Sequence, residues 1–267
     1  MKRFVKTILA TAVFAFAAQS YAADTTSTTT TTTNVSPAER AKIEEVVHQY
    51  LLSKPEVLVE ALQILQRKQY QEAEQTVKKT QANANQFADG LFHQTNDPVG
   101  GNPKGKVTVV EFFDYQCPHC VDMAPVTDAI IKANPDVRIV FKDFPIRGPM
   151  SVLAARAAIA ASMQGKYYEF SHALLTSNKP LTQDVIFDLA KSTGLNVDQL
   201  KKDMASSAVD DELKATTKLA QDLKLFGTPA FFIAKSDVTT SKGSINYIPG
   251  QMDQKQLQGE IDKANKS

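Results

Sequence analysis

The sequence predicts an α/β fold with a helical insertion, preceded by a separate helical arm. Three patterns carry this expectation. Val107 to Phe113 is a β-rich apolar run, Pro118 to Ala133 has helical character, and Val137 to Phe144 alternates well enough for a second strand, so together they read as a βαβ unit. A long, mostly helical stretch follows, from about 149 to 226, Ala-rich at Ala154 to Ala161 and punctuated by Asn178-Lys179-Pro180 and Gly194. Two short strand patterns, Ala230 to Ala234 and Ile245 to Ile248, and a closing helix from Asp253 to Ala264 complete the order.

The N-terminal segments read differently. Lys2, Arg3 and Lys6 form a positive region, Ile8 to Ala18 is apolar and uncharged, and Ser20-Tyr21-Ala22 offers small residues for cleavage. This is the pattern of a secretory signal peptide over 1–22; the apolar run is short for a membrane span. Residues 23–35 are threonine-rich and have nothing to bury, which predicts a disordered spacer. Ser36-Pro37-Ala38-Glu39 then offers a capping box with proline at the first helical position. Ile43, Val46, Val47, Tyr50 and Leu51 repeat at helical spacing, and Ser53-Lys54-Pro55-Glu56 repeats the start signal for a second helix running to about Phe92. An amphipathic arm of this kind, over 36–96, needs a surface for its apolar stripe. Self-association as a homodimer is the expectation, with contact concentrated at Ile43 to Leu65. Asp97-Pro98-Val99-Gly100-Gly101-Asn102-Pro103 reads as a turn-rich boundary, and residues 97–267 as the α/β domain.

Composition narrows the function. The 267 residues carry 30 basic and 29 acidic side chains, a formal net charge of +1, so no basic field is available for nucleic acid. The 43% hydrophobic and 22% charged content is that of an ordinary globular chain. There are two cysteines, Cys117 and Cys120, spaced C-x-x-C at the turn between the first strand and its helix. A structural disulfide closing so short a loop constrains the unfolded chain little, so in an exported protein the pair reads as redox-active. Half of a zinc site is the competing reading. It needs two more ligands, and His48, His93, His119 and His172 show no paired spacing. No metal or cofactor is expected.

Glu111-Phe112-Phe113-Asp114-Tyr115-Gln116-Cys117-Pro118-His119-Cys120 resembles the active-site segment of the DsbA-like disulfide oxidoreductases, and Gly227-Thr228-Pro229-Ala230-Phe231-Phe232 resembles that family's cis-proline loop. The likeness covers about 97–265, and the arm is similar to that of the longer, dimeric DsbA-like proteins and outer-membrane-associated antigens of intracellular Gram-negative bacteria. It implies a thioredoxin fold carrying a helical domain. It also implies a periplasmic location, free or associated with the outer membrane or surface, and thiol–disulfide exchange with unfolded or misfolded exported proteins. A membrane redox partner is implied as well, a DsbB-like oxidant or a DsbD-like reductant. Cys-Pro-His-Cys resembles oxidases, whereas Thr228 before the proline and the arm resemble isomerases, so both activities are expected. The competing function is a non-enzymatic surface-associated binding protein or holdase on the same scaffold.

Within this resemblance Cys117 is the attacking thiol, at the helix N-terminus where dipole and free N–H groups favour a thiolate. Such settings lower a thiol pKa from about 8.5 to about 3.5–7.5, the low end set by DsbA itself. Cys120 is the resolving thiol, one turn further in and less exposed. Pro118 occupies the first turn without losing a hydrogen bond, and His119 is a polar, at times cationic neighbour. Pro229 is either a strand-entry proline or, as the resemblance implies, cis, presenting the Thr228 backbone to substrate. Glu111 and Lys142 lie in apolar strands: Glu111 could relay the Cys120 proton, the two could pair, or both could reach water.

Overall fold

The computed structural model describes residues 35–266; the expected signal peptide and nearly all of the threonine-rich spacer lie outside the described residues. By packing the chain divides into two compact units, one ending at Ala61 and one beginning at Leu62.

In the first unit α1 (Pro37–Ser53) starts as its sequence dictates. The Ser36 hydroxyl accepts from the Glu39 amide at 3.3 Å, the Glu39 carboxylate accepts from the Ser36 amide at 3.0 Å, and Pro37 fills the first turn. The second start signal is not used as a cap. Ser53 is the last residue of α1 and donates to the Tyr50 carbonyl at 3.0 Å, and α2 (Glu56–Asn83) begins beyond it. Every residue of α1 but Leu51 is exposed.

The long second helix does not run unbroken to Phe92. It ends at Asn83, passes through a 3-10 turn at Ala84–Phe87 and resumes as α3 (Ala88–Phe92). Asparagine-rich Asn83-Ala84-Asn85 is a poor helix interior, and the break turns Ala84, Ala88, Leu91 and Phe92 inward, all 0–1% exposed. The buried core of the second unit therefore begins well before residue 97.

That unit is built on a five-stranded sheet of order β1-β3-β2-β4-β5. The strands are β1 (Val99–Gly101), β2 (Val107–Phe113), β3 (Val137–Asp143), β4 (Ala230–Lys235) and β5 (Asn246–Pro249). β2 and β3 pair in parallel, and every other neighbour is antiparallel. β1 replaces the turn expected at 97–103. Gly101 ends it at φ +71°, and a Cβ there would meet the Val137 carbonyl at 2.7 Å, so the position requires glycine. β2 is buried along its whole length, as its unbroken apolar run implies for a strand covered on both faces.

Two cores result. On one face Val107, Val109 and Phe113 pack with Met123 and Ile130 of α4 (Pro118–Ala133) and with Leu257 and Ile261 of α10 (Gln254–Lys266). The alanines of α5 (Pro149–Ser162) and the insertion helices α6 (Tyr167–Leu175), α7 (Gln183–Ser192) and α8 (Val197–Asp203) extend that core. On the other face Val110, Phe112 and Val140 pack with α3 and with Ala220 of α9 (Ser207–Asp222). The expected strand–helix–strand, helical insertion and strand–strand–helix order is the observed one: a thioredoxin fold carrying a helical domain.

Candidate functional site

The C-terminal end of β2 delivers Asp114-Tyr115-Gln116 into the first turn of α4. Cys117 is the residue that caps this helix, with Pro118 at its first position. The Cys120 and Val121 amides bond to the Cys117 carbonyl at 2.9 and 3.0 Å. Both thiols are free and both are buried, Cys117 at 0% and Cys120 at 1% exposure. This corrects the expectation of an exposed attacking thiol. The Thr228-Pro229 loop closes over Cys117, whose Sγ donates to the Thr228 carbonyl at 3.2 Å.

What separates the two cysteines is electrostatics. Burial opposes a Cys117 thiolate, but contacts from Thr228 and from the amide and thiol of Cys120, with the Arg147 charge, outweigh it and hold Cys117 below its ordinary value. Cys120 is pushed far up, chiefly by burial, with the charges of Cys117 and Glu111 adding to it. The chain thus places a thiol whose pKa is lowered and one whose pKa is raised a single helical turn apart.

Thr228-Pro229 is a cis peptide bond, as the resemblance implied. The Pro229 carbonyl accepts from the Gly250 amide at 2.9 Å, which ties the loop to the segment after β5. The Thr228 hydroxyl is buried and has no hydrogen-bond partner among the described residues. His119 is exposed, and its Nδ1 lies 2.6 Å from the Gln251 Oε1.

Glu111 and Lys142 are not brought together. Register places Phe112, not Glu111, beside Lys142, so the two side chains leave opposite faces of the sheet. Lys142 instead forms a buried ion pair with Asp97 at 2.6 Å. Glu111 faces the α4 side, accepts from the Thr127 hydroxyl at 3.2 Å, and is pushed up to about 7 by burial, with Thr127 opposing. A small cavity of about 20 Å³, room for one water, lies against it and is also lined by Thr127, Tyr168 and His172.

Three contributors escaped the sequence reading. Asp114 is buried and accepts four bonds: from the Gln116 amide and Ser151 hydroxyl at 2.7 Å each, and from the Ile146 and Arg147 amides at 2.7 and 2.9 Å. Its bond two residues ahead is an Asx turn, a signal present in Asp114-Tyr115-Gln116. Arg147 and Gln251 come from distant loops and leave no local signal. Among the described residues no group of three or more His, Cys, Asp or Glu is placed to hold a metal ion.

A helix-capping C-x-x-C with divided thiol acidities, set against a cis-proline loop on this sheet, defines a thiol–disulfide oxidoreductase of the thioredoxin class. Residues 108–262 match the model of the DSBA-like thioredoxin domain, and the chain belongs to that family. Residues 39–72 match the N-terminal domain of the copper resistance protein ScsC. A thioredoxin-like oxidoreductase from Silicibacter pomeroyi DSS-3 is 40% identical with a TM-score of 0.61, over 67% of this chain and 98% of that one. Salmonella enterica Typhimurium BcfH is 36% identical with a TM-score of 0.59, over 85% and 96%. The thiol-disulfide exchange protein α-DsbA2 from Wolbachia pipientis is 26% identical with a TM-score of 0.62, over 70% and 96%. Among curated proteins the Na(+)/H(+) antiporter NhaA 1 of Mycolicibacterium gilvum is 30% identical over 142 residues, 51% of this chain and 23% of the antiporter. The chain thus spans about a quarter of the length of such relatives, and no helix among the described residues is long and apolar enough to cross a membrane.

Proposed function

We propose that this protein acts in the periplasm as a disulfide oxidase that also isomerises disulfides in exported proteins. The carrying observation is that Cys117 caps α4 with its Sγ on the Thr228 carbonyl of a cis-proline loop, in surroundings that lower its pKa and raise that of Cys120. A thiolate favoured at Cys117 stabilises the reduced form and makes the disulfide a ready oxidant. A substrate thiolate attacks the Cys117 sulfur, Cys120 departs with the electron pair and takes up a proton, and a second substrate thiol then displaces Cys117. Substrate leaves oxidised and the enzyme as a dithiol. Glu111, whose charge acts on Cys120 and which lines a water-sized cavity, is the group proposed to pass that proton; Lys142 takes no part. Exposed Ile146 and Phe226, at 46% and 58%, offer apolar surface for unfolded substrate on the segments that carry Arg147 and Thr228.

Isomerase activity rests on the arm. Ile43, Val46, Val47, Tyr50 and Leu58 of the first unit are each about half or more exposed, as are Leu62 and Leu65 at the start of the second, and this apolar surface suits pairing with a second copy. Paired chains hold more than one C-x-x-C near a single misfolded substrate. A membrane oxidant of the DsbB type reoxidises the pair for the first activity, and a DsbD-like reductant keeps it reduced for the second. The location is supported by a periplasmic thioredoxin-like protein from Salmonella enterica, 25% identical with a TM-score of 0.58. The in vivo redox state of the pair tests this: a mixture of disulfide and dithiol is expected. Full function in a strain producing Cys117→Ser would instead point to the holdase reading.

A further inference from the structure

The sheet carries a second cavity on the face turned away from α4. Register sets Lys142 beside Phe112 on that face, opposite to Glu111. There, between α3 and α9, a cavity of about 470 Å³ is walled by Asp97, Lys142, Asp211 and Glu212. Small-molecule sites span about 300–1,000 Å³. The one cationic side chain in the wall is already engaged: Lys142 is buried and pairs with Asp97 Oδ1 at 2.6 Å. The Asp97 side chain is 0% exposed, and its Oδ2 has no hydrogen-bond partner among the described residues. Neither Asp211 nor Glu212 forms an ion pair among the described residues, and Glu212 accepts only from the Thr216 hydroxyl, at 3.5 Å. Burial holds the Asp97 carboxyl above its ordinary value against the pull of Lys142, and the Glu212 carboxylate adds to the rise. Acceptors gathered around a cavity with so few donors favour an occupant that brings N–H groups and positive charge.

We propose that this cavity binds an aliphatic diamine or polyamine, with its ammonium groups toward Asp97, Glu212 and Asp211 and its methylene stem along α9. Three features of the wall select that chemistry. Three carboxylates against one ammonium leave two negative charges, which two ammonium groups balance and a single one does not. The acids are not gathered as a metal site gathers its ligands: among the described residues no group of three or more His, Cys, Asp or Glu is placed to hold a metal ion. The charge is spread over a cavity, so it suits charges spread along a chain. Between the acids the wall is apolar, with Ala215 and Leu219 of α9 exposed to the cavity, and this surface takes methylenes and offers nothing to a hydrated ion. The site lies on the opposite face of the sheet from Glu111 and stands independently of the exchange reading of Cys117.

The experiment titrates the full-length protein with putrescine by calorimetry, with butylamine and butane-1,4-diol as the one-charge and no-charge controls of the same length. Saturable binding of putrescine is expected, weaker binding of butylamine and none of the diol. Asp97→Asn is not the variant of choice, because it would leave Lys142 buried beside a neutral partner. Asp211→Asn and Glu212→Gln remove one charge each at positions that are not fully buried, and Ala215→Phe, at an exposed position on α9, fills the cavity. Each charge variant should weaken putrescine about three- to thirtyfold, and Ala215→Phe should abolish its binding. All three should keep the wild-type rate of thiol exchange. Amide chemical shifts on adding putrescine should move along α9 and around Asp97 and stay unchanged at Cys117. No saturable binding of putrescine, equal binding of the diol, or wild-type affinity in all three variants overturns the inference. None of these results touches the exchange reading, which falls only if Cys117→Ser retains exchange.

Discussion

At the scale of single residues, the proposed chemistry depends on two buried thiols whose acidities are shifted in opposite directions. Cys117→Ser should abolish exchange with reduced, unfolded substrate, and Cys120→Ser should accumulate mixed disulfides joined through Cys117. Non-reducing gels and mass mapping of the trapped species check this, and complexes joined through Cys120 in Cys117→Ser would reverse the assignment. Glu111 gives a pH prediction. Its carboxyl is raised from 4.5 to about 7 in the fold, so between about 4.5 and 7 the native state binds more protons than the unfolded chain. Stability therefore falls as pH rises through that window. Cys117, held low, works in the opposite sense in the dithiol: its contribution is present above the unfolded thiol pKa and is lost as pH falls through the folded one. Glu111→Gln should flatten the decline between about pH 4.5 and 7, seen in denaturant midpoints across that range. If Glu111 passes the Cys120 proton, the same variant should also slow resolution of a mixed disulfide by about tenfold or more. A flattened stability curve with an unchanged resolution rate would leave Glu111 a structural residue.

At the scale of elements, the turn between β2 and α4 is where the site is assembled, and Asp114 assembles it. One carboxylate oxygen serves the turn itself through Gln116 and anchors Ser151 of α5, while the other holds the Ile146-Arg147 loop. Asp114→Asn keeps one acceptor oxygen but strands the Ile146 and Arg147 amides. It should destabilise the protein by about 1–3 kcal/mol and, by loosening Arg147, raise the Cys117 titration point. Chemical denaturation and thiolate absorbance measure both, and a wild-type Cys117 titration would mean that Arg147 is held by other contacts. This loop also shows what sequence does and does not carry. β2 and α4 were legible to the residue, because an unbroken β-branched and aromatic run and a proline-led helix are local signals. β1 was not: three residues, two of them glycine, have no periodicity, and they become a strand only because β3 offers an edge. Ser53 had the chemistry of a cap and spent it closing the helix before it. Of the alternatives left open for Lys142, none named Asp97, because strand register, which decides the face, depends on a partner strand. Gln251 is contributed from 132 residues away, and no local pattern announces it.

At the scale of the whole molecule, two units meet different demands. The second unit has its own sheet and two buried cores, whereas α1 and the start of α2 bury almost nothing within the first. A helix pair with that much exposed apolar surface is marginal alone, so a second copy is the proposed partner for Ile43 to Leu65. Where the chain is cut decides what such a test means. Removal through residue 92 would take away Leu91 and Phe92, fully buried under β2, at roughly 1.5–3 kcal/mol each, together with the buried alanines Ala84 and Ala88. That truncation should unfold, and loss of activity in it would say nothing about self-association. Removal of residues 24–61 spares all four side chains and the Thr80 hydroxyl's bond to the Leu223 carbonyl at 2.8 Å. It should leave a folded monomer that oxidises dithiols at the full-length rate and isomerises scrambled disulfides poorly. Light scattering reads the first expectation and recovery of a scrambled multi-disulfide substrate the second. A monomeric full-length protein would remove the structural basis for isomerisation, because the apolar stripe would then have no second chain to meet and each C-x-x-C would work alone. A self-associated full-length protein whose truncated form isomerises equally well would show that pairing serves some end other than disulfide shuffling.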